Sequence, residues 1–353
     1  MTEERKETED LLSMDLPALK AAVGALGEKP YRAEQIYGWL HRKLAGSWDE
    51  MTNVPAALRE KMAARWPIGA PEQRALQISK IDGTRKYLFR MRDGNYVESV
   101  WMSYHHGNSV CISSQVGCRM GCTFCASTLL GLTRNLTPGE MLGQIYAISR
   151  DTGERVSNVV VMGTGEPLDN YENLVRFIRM LSDENGLHIS ERNITVSTCG
   201  LVPGIRRLAG EKLMINLALS LHAPDDVLRQ RLMPVARAYR IPEIMDALRD
   251  YYRVNRRRLT FEYSLIRGVN DTDECAEKLA ALLKGMNCLV NLIPVNPVTE
   301  RGYRETRREG VLAFKKKLEN HGIHVTIRRE MGRDIDGACG QLRKRCTEMD
   351  QKA

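Results

Sequence analysis

The chain of 353 residues is 43% hydrophobic and 27% charged, with a formal net charge of +8 at pH 7. These values exclude a disordered or fibrous protein and allow one large domain with a substantial core beside a small one. No stretch is apolar enough to span a membrane, and the charged first ten residues differ from a secretory signal. We therefore expect a cytoplasmic protein without membrane contact, whose positive charge suits an acidic partner such as RNA.

Residues 1–66 are predicted to form a small helical accessory domain. Apolar residues recur there at helical spacing, beginning with Leu12, Leu16 and Leu19. Residues 67–103 follow as a short β extension, in which Asp-Gly and Asp-Gly-Asn turns separate strand-like runs.

Three cysteines lie close together in the next part of the chain, at Cys118, Cys122 and Cys125. A four-iron cluster takes one thiolate on each iron, so three cysteines leave one iron open for a small molecule. Gly117 and Gly121 suit a loop that folds back around a cluster, because glycine adopts positive φ at little cost. The pattern indicates a metal site with one open position.

Iron–sulfur and zinc both remain possible for three cysteines considered alone. A structural zinc site would add Cys111 as a fourth thiolate, although such folds pair two close knuckles across a longer gap. The isolated cysteines Cys199, Cys275, Cys288 and Cys346 are interpreted as buried or incidental thiols.

After Val110 the chain alternates between strand and helix patterns. Between the strands lie amphipathic helical stretches, one of which opens with the threonine, proline and glutamate of a helix start. Apolar runs typical of strands occupy residues 158–162, 194–197, 215–221, 259–265, 289–295 and 324–328. The alternation predicts an α/β domain of parallel β/α units over residues 104–335, closed as a full or partial TIM-like barrel. A doubly wound open sheet is the alternative.

Polar residues and glycines follow several of these strands. Parallel strands bring such residues together at one end of a barrel, where they form the mouth of a ligand site. The residues are Gly165 and Glu166 after the first run, Ser197 after the second, Ser220, Leu221 and His222 after the third, and Asn296 near the end of the chain's fifth run.

The cysteine motif resembles the signature of the radical S-adenosylmethionine (SAM) enzymes. Within that superfamily, nearly the whole sequence is similar to the RlmN-type RNA (adenine-C2)-methyltransferases. The matching segments are Lys29 to Leu40, Cys111 to Cys118, Cys122 to Ser127, Gly165-Glu166-Pro167, Ser220 to Pro224, Arg231 to Pro234 and Asp334 to Leu342. The resemblance implies a partial barrel of the radical SAM type, with the helical accessory domain in front and a carboxyl-terminal tail over residues 336–353.

The resemblance also implies the cofactors and the residues that bind them. Cys118, Cys122 and Cys125 would bind a [4Fe-4S] cluster, whose open iron chelates the amino and carboxylate groups of SAM. The SAM site would be lined by Gly165, Glu166, Ser197, Ser220, Leu221, His222 and Asn296.

Enzymes of this family methylate C2 of adenine, an aromatic carbon that is not a nucleophile. The resemblance implies that Cys339, in the tail, first takes a methyl group from one SAM and that a radical from a second SAM then activates that methyl group. Glu98 matches the base that accepts the C2 proton. Cys111 matches the thiol that releases the product by closing a transient disulfide with Cys339.

The implied substrates are 23S ribosomal RNA, at adenosine 2503 of the peptidyl-transferase centre, and transfer RNA beside the anticodon. The expected protein is a monomer that takes electrons from a donor such as flavodoxin. Basic residues near 253–258 and the helical domain are candidate contacts for RNA phosphates. The alternatives are a Cfr-type enzyme that methylates adenine C8 and a non-catalytic, zinc-binding RNA-binding protein.

Overall fold

The computed structural model describes residues 10–105, 107–296, 298, 300–335 and 342. Its helices are α1 (Leu16–Gly24), α2 (Pro30–His41), α3 (Ala56–Ala63), α4 (Pro138–Thr152), α5 (Tyr171–Ser182), α6 (Val202–Gly210), α7 (Asp226–Leu232), α8 (Ile241–Asn255), α9 (Asp273–Leu283) and α10 (Arg308–Asn320). Its strands are β1 (Glu72–Ile78), β2 (Arg85–Arg90), β3 (Tyr96–Tyr104), β4 (Gly107–Cys111), β5 (Gln115–Gly117), β6 (Leu132–Asn135), β7 (Val156–Val161), β8 (Ile194–Thr198), β9 (Asn216–Ser220), β10 (Leu259–Leu265), β11 (Cys288–Pro294) and β12 (His324–Ile327). Within these residues no helix is both long and apolar enough to cross a membrane.

One ten-stranded sheet organises the chain, in the order β1-β2-β3-β4-β7-β8-β9-β10-β11-β12. Strands β1 to β4 pair antiparallel, whereas β4 and β7 to β12 are parallel. Strand order follows chain order throughout, so the sheet never reverses direction as a doubly wound sheet does. The partial barrel is confirmed, and each of the six predicted apolar runs overlaps a strand.

The two faces of the parallel strands differ in chemistry because successive side chains point to opposite sides. On the outer face, residues such as Val196, Leu219 and Phe261 are almost fully buried and belong to the hydrophobic core. Each such side chain contributes about 1.5–3 kcal/mol when removed from water. On the inner face the register places Ser220, Glu262 and Asn291 side by side. The apolar face therefore holds the barrel together and leaves a polar face for a ligand.

The helical accessory region is tied to the barrel at the start of α4. Helix α1 begins at Leu16, not at Leu12, because Asp10 and Asp15 each cap a separate short element. The Asp10 carboxylate accepts hydrogen bonds from Ser13 and from Thr137, both at 2.9 Å. Thr137 in turn caps α4 through the predicted capping box. One continuous hydrophobic core extends from the accessory helices into the barrel.

His41, at the end of α2, makes the stability of this junction depend on pH. The side chain is fully buried, its Nδ1 lies 2.8 Å from the Tyr146 hydroxyl, and burial lowers its pKa to about 3. Unfolded histidine binds a proton near pH 6.5 while folded His41 stays neutral, so unfolding takes up a proton and stability falls as pH falls below 6.5. At pH 5 the loss from His41 is about 2 kcal/mol.

We expect His41→Gln to flatten the pH dependence of the free energy of unfolding between pH 7 and 5. Urea unfolding at both pH values measures the effect. His324→Gln, at an exposed histidine, is the control and should leave the slope unchanged. Equal slopes in His41→Gln and the parent protein would show that His41 is not the titrating group.

Candidate active site

The three clustered cysteines lie in a loop between β5 and β6. Gly117 and Gly121 have φ of +83° and +72°, as predicted, so the loop folds back sharply at both points. The Cys118 N–H donates to the Gly131 carbonyl at 3.0 Å, which closes the base of the loop. The Thr123 N–H donates to the Leu232 carbonyl at 2.8 Å and ties the loop to the end of α7.

A cavity of about 250 Å³ joins this loop to the carboxyl ends of the parallel strands. The predicted residues that line it are Cys118, Cys122, Cys125, Gly165, Glu166, Ser197, Ser220, His222 and Asn296. Leu221 is fully buried beside the cavity, and its N–H donates to the Glu262 carbonyl at 3.1 Å. Residues more than a hundred positions apart therefore meet in one site.

Two predicted residues in the wall are held by hydrogen bonds to the backbone. The Glu166 carboxylate accepts from Leu168 N–H at 3.1 Å and from Cys199 N–H at 2.7 Å, while burial raises its pKa. His222 accepts from Ser264 N–H through Nδ1 at 2.9 Å, and burial lowers its pKa to about 3. The imidazole is therefore neutral near pH 7.

The cavity also contains residues that sequence reasoning missed. Cys199, interpreted as incidental, lines the wall together with Glu262 and Ser264 of β10. Glu262 is buried, accepts from Asn291 Nδ2 at 2.8 Å, and has its pKa raised by burial. In the sequence, β10 has a polar residue at every second position. This alternation marks one face of a strand and could have identified Glu262 and Ser264 as inner-face residues.

Arg229 of α7 supplies buried positive charge next to the cysteine loop. Its side chain is fully buried and donates to the backbone carbonyls of Cys199 (2.6 Å), Leu221 (3.2 Å) and Ser220 (3.3 Å). Its Nη1 has no hydrogen-bond partner among the described residues, and its charge acts on the Cys122 thiol. Arg229 forms no ion pair with a carboxylate in the described part of the chain, and a buried cation of this kind suits an anionic group at the cysteines.

The thiols themselves fit a bound metal group. Burial raises the pKa of Cys118 to about 12 and also raises that of Cys122. Protonated buried thiols release their protons when a metal group binds them as thiolates. Among the described residues, no three His, Cys, Asp or Glu side chains converge as ligands of a single metal ion. A cluster does not need such convergence, because each thiolate binds its own iron.

Comparisons with known proteins agree with this site. Residues 112–283 match the Radical SAM superfamily, and residues 9–68 match the ribosomal RNA large subunit methyltransferase N-terminal domain. A protein of Lachnospira eligens named probable dual-specificity RNA methyltransferase RlmN is 62% identical over 96% of this chain and 97% of its own length. Its namesake in Lachnoclostridium phytofermentans is 58% identical over 96% of this chain and 95% of its own length.

The chain belongs to the RlmN family of radical SAM methyltransferases. The crystal structure of a radical SAM methyltransferase from Sphaerobacter thermophilus superposes with a TM-score of 0.91 and 45% identity, over 94% of this chain and 98% of that one. The comparisons thus show both the family and the fold, and the cavity is the candidate active site for the chemistry of this family.

Two further residues of the RlmN pattern, Glu98 and Cys111, lie outside the cavity wall on the same inner face. Cys111 ends β4 and pairs with Val100 of β3, and Glu98 lies two residues from Val100 towards the mouth. Glu98 is buried and forms an ion pair with fully buried Lys86 at 3.0 Å. Glutamate side chains usually face solvent, but Glu98 is buried on the inner face of the sheet.

Cys339 lies outside the described residues, but contacts on both sides of it are described. The Asp334 carboxylate accepts from the Ser79 hydroxyl at 2.6 Å and from Lys80 N–H at 2.8 Å. Leu342 packs with Leu88 and Tyr96. All of these partners belong to the β1–β3 extension that carries Glu98.

Gly165 is expected to be required for the shape of the RlmN-family cavity. Its φ is +116°, and a Cβ there would lie 2.7 Å from the Gln115 Cβ and the Ser114 hydroxyl oxygen. We expect Gly165→Ala to weaken SAM binding at least tenfold, about 1.4 kcal/mol, as measured by equilibrium dialysis. Gly153→Ala is the control, since it has φ of +67° but open space around it. An alanine at 165 with unchanged SAM affinity would contradict this prediction.

Proposed function

We propose that this protein methylates C2 of adenosine in RNA, at the peptidyl-transferase centre of 23S ribosomal RNA and beside the anticodon of transfer RNA. The observation that carries the proposal is one cavity that unites three thiols with the strand-end residues of a chain in the RlmN family. The relatives named above are called dual-specificity RNA methyltransferases.

The residues of the cavity divide into two groups by what they can bind. Cys118, Cys122 and Cys125 provide the thiolates for a [4Fe-4S] cluster, and Arg229 provides the buried positive charge behind them. Gly165, Glu166, Ser197, Ser220, His222 and Asn296, with Leu221 behind them, provide the surface for SAM. A reduced cluster held by these thiolates would supply the electron for cleavage of SAM into methionine and a 5′-deoxyadenosyl radical.

A protein-bound methyl group is needed because adenine C2 does not attack the methyl group of SAM. The Cys339 sulfur attacks the methyl carbon of one SAM, so a sulfur–methyl bond forms, S-adenosylhomocysteine leaves and the thiol proton is released. A methyl thioether has C–H bonds that a carbon radical can break, and the resulting carbon centre can add to C2. Support comes from Asp334 and Leu342, which bracket Cys339 and contact the extension that carries Glu98.

Glu98 is the proposed acceptor of the C2 proton. The carboxylate is buried on the inner face, and the Ser113 hydroxyl donates to its backbone carbonyl at 2.7 Å. The Lys86 ammonium at 3.0 Å holds the carboxylate in place. Cys111, on the adjacent strand, is the proposed thiol that attacks the Cys339 sulfur. A disulfide forms, the carbon–sulfur bond breaks with its electron pair on carbon, a proton completes the methyl group of the released RNA, and an external thiol reductant restores the two cysteines.

Anaerobic reaction with deuteromethyl-SAM and RNA, followed by mass spectrometry of the digested RNA, tests the proposal. We expect 2-methyladenosine that retains two deuterium atoms, because one is lost when the methyl group is activated. A product with three deuterium atoms would contradict a radical route. Methylation at C8 would identify a Cfr-type enzyme, and zinc in place of iron and sulfide would support the zinc-binding alternative.

A further inference from the structure

A second polar cleft lies at the end of the barrel opposite the SAM cavity. It occupies about 680 Å³, within the range of small-molecule sites. Its walls come from the amino-terminal ends of β8, β9 and β10 and the connection that precedes each of them. Ser220 and Asn216 stand at the two ends of β9, four residues and about 13 Å apart, so the cleft and the SAM cavity are separate.

Four arginines line this cleft: Arg192, Arg256, Arg257 and Arg258. Within the part of the chain that the structure describes, none of them forms an ion pair with a carboxylate, whereas Arg249 and Arg253 on the neighbouring helix α8 pair with Asp246 and Asp250. Arg192, Arg256 and Arg258 are exposed. The cleft therefore concentrates positive charge that no carboxylate of the described residues neutralises.

The floor of the cleft is ordered by hydrogen bonds. Arg257 is half-buried and donates to the Asn216 side-chain oxygen through Nη2 at 2.6 Å. The Asn216 amide donates to the Arg192 backbone carbonyl at 2.8 Å. Arg257 is thus held in a fixed position, as a residue that recognises a defined anion needs to be.

An unpartnered buried donor points to a missing ligand. Asn255 lines the cleft and is only 4% exposed, yet its Nδ2 has no hydrogen-bond partner among the described residues. A buried amide N–H without an acceptor costs about 1–3 kcal/mol, so such a group normally has a partner. An oxygen of a bound anion would supply the acceptor.

Two nearby features act against an anion and are outweighed. Helix α8 ends at Asn255, and a helix carboxyl terminus carries about half a negative charge. Glu191 precedes Arg192, but its Oε2 already accepts from Met214 N–H at 2.6 Å. Four guanidinium groups exceed these negative contributions, so the net field in the cleft favours an anion.

We propose that this cleft binds backbone phosphates of the RNA substrate, which gives the enzyme a second RNA contact remote from the SAM cavity. The inference rests on RNA being the substrate, as proposed above. Guanidinium groups match phosphate oxygens in two-point hydrogen bonds, and most protein–nucleic acid hydrogen bonds go to phosphate and sugar. The contact orients the RNA and carries no sequence information.

The double variant Arg192→Gln/Arg258→Gln tests the site, since both side chains are exposed. Arg179→Gln/Arg207→Gln is the matched control, because it removes the same charge at exposed arginines that already have carboxylate partners, Glu211 and Glu172. A transcribed 23S ribosomal RNA fragment that contains the peptidyl-transferase loop is titrated into the cluster-loaded enzyme at several salt concentrations. Each lost phosphate contact lowers the slope of log affinity against log salt by about 0.7–0.9.

We expect the test variant to bind RNA about tenfold more weakly, with a slope reduced by one to two units, while the control stays near the parent protein. Equal losses in both double variants would overturn the inference, because they would show only a general effect of net charge. A second outcome would also overturn the inference: RNA binding stays unchanged in the test variant, while inorganic phosphate or ATP stabilises the parent protein but not the variant against thermal unfolding. That result would assign the cleft to a free phosphate compound. A parent protein that binds RNA but does not methylate it would refute the proposed function and leave this inference standing.

Discussion

Replacement of Cys122 by alanine is expected to abolish both cluster binding and RNA methylation. The thiol lines the cavity beside Cys118 and Cys125 and is the one on which the buried charge of Arg229 acts. Two remaining thiolates cannot hold three irons of a cluster, so no site for SAM cleavage forms. Iron and sulfide content after anaerobic reconstitution measures the first effect, and release of 5′-deoxyadenosine measures the second. Both should fall to background.

Cys275→Ala is the matched control, because Cys275 is also buried but lies on α9 and does not line the cavity. It should keep full iron and sulfide content and normal activity. The loss in Cys122→Ala should therefore not reflect thiol removal or packing in general. A Cys122→Ala protein that still binds four irons and four sulfides per chain would refute the proposed ligand set.

Cys111→Ala is expected to stop the reaction at a covalent protein–RNA species. Without the Cys111 thiol nothing attacks the Cys339 sulfur, so the methylene bridge between Cys339 and adenine C2 persists. Denaturing gels with labelled RNA should show a band of retarded RNA that protease removes. Multiple turnover should be lost, while a single activation of the methyl group still occurs.

The variant Cys339→Ala distinguishes the proposed role of Cys339 from that of Cys111. This variant should bind the cluster and SAM yet neither methylate RNA nor trap it, because it has no sulfur to carry the methyl group. Cys288→Ala is the control, because Cys288 is a buried cysteine at the start of β11. This variant should keep normal methylation activity and should not trap RNA. Methylated RNA from Cys339→Ala would exclude the methyl-carrier role, and a Cys111→Ala protein that turns over normally would exclude the disulfide step.

The inner face of the sheet explains how Cys111 and Glu98 can act together although neither lines the cavity. Register pairs Cys111 with Val100 on one side and with Val160 of β7 on the other. That row continues to Thr195 of β8, two residues before Ser197. The extension therefore prolongs the inner face of the barrel, and it is contacted both by Asp334, just before the tail, and by Leu342 of the tail.

Much of the fold could be predicted from the sequence because the relevant signals are local. The six apolar runs became strands, the Thr137 capping box begins α4, and Gly117 and Gly121 adopt positive φ. Apolar spacing alone predicts that Leu12 belongs to the first helix, which is wrong: Asp10 caps a short turn at Leu11–Ser13 and Asp15 caps α1 separately. Residues that end parallel strands were predicted to meet, and they do.

What the sequence by itself determined was the set of elements, the cysteine loop and the strand-end residues, because backbone periodicity, capping and glycine conformation depend on near neighbours. Only the tertiary structure decided which of the remaining residues matter. Arg229 and Cys199 join the site, Glu98 is buried against Lys86, and the Asn255 amide nitrogen has no hydrogen-bond partner among the described residues. Burial and charge pairing depend on which distant segments pack together, and no spacing along the chain records that.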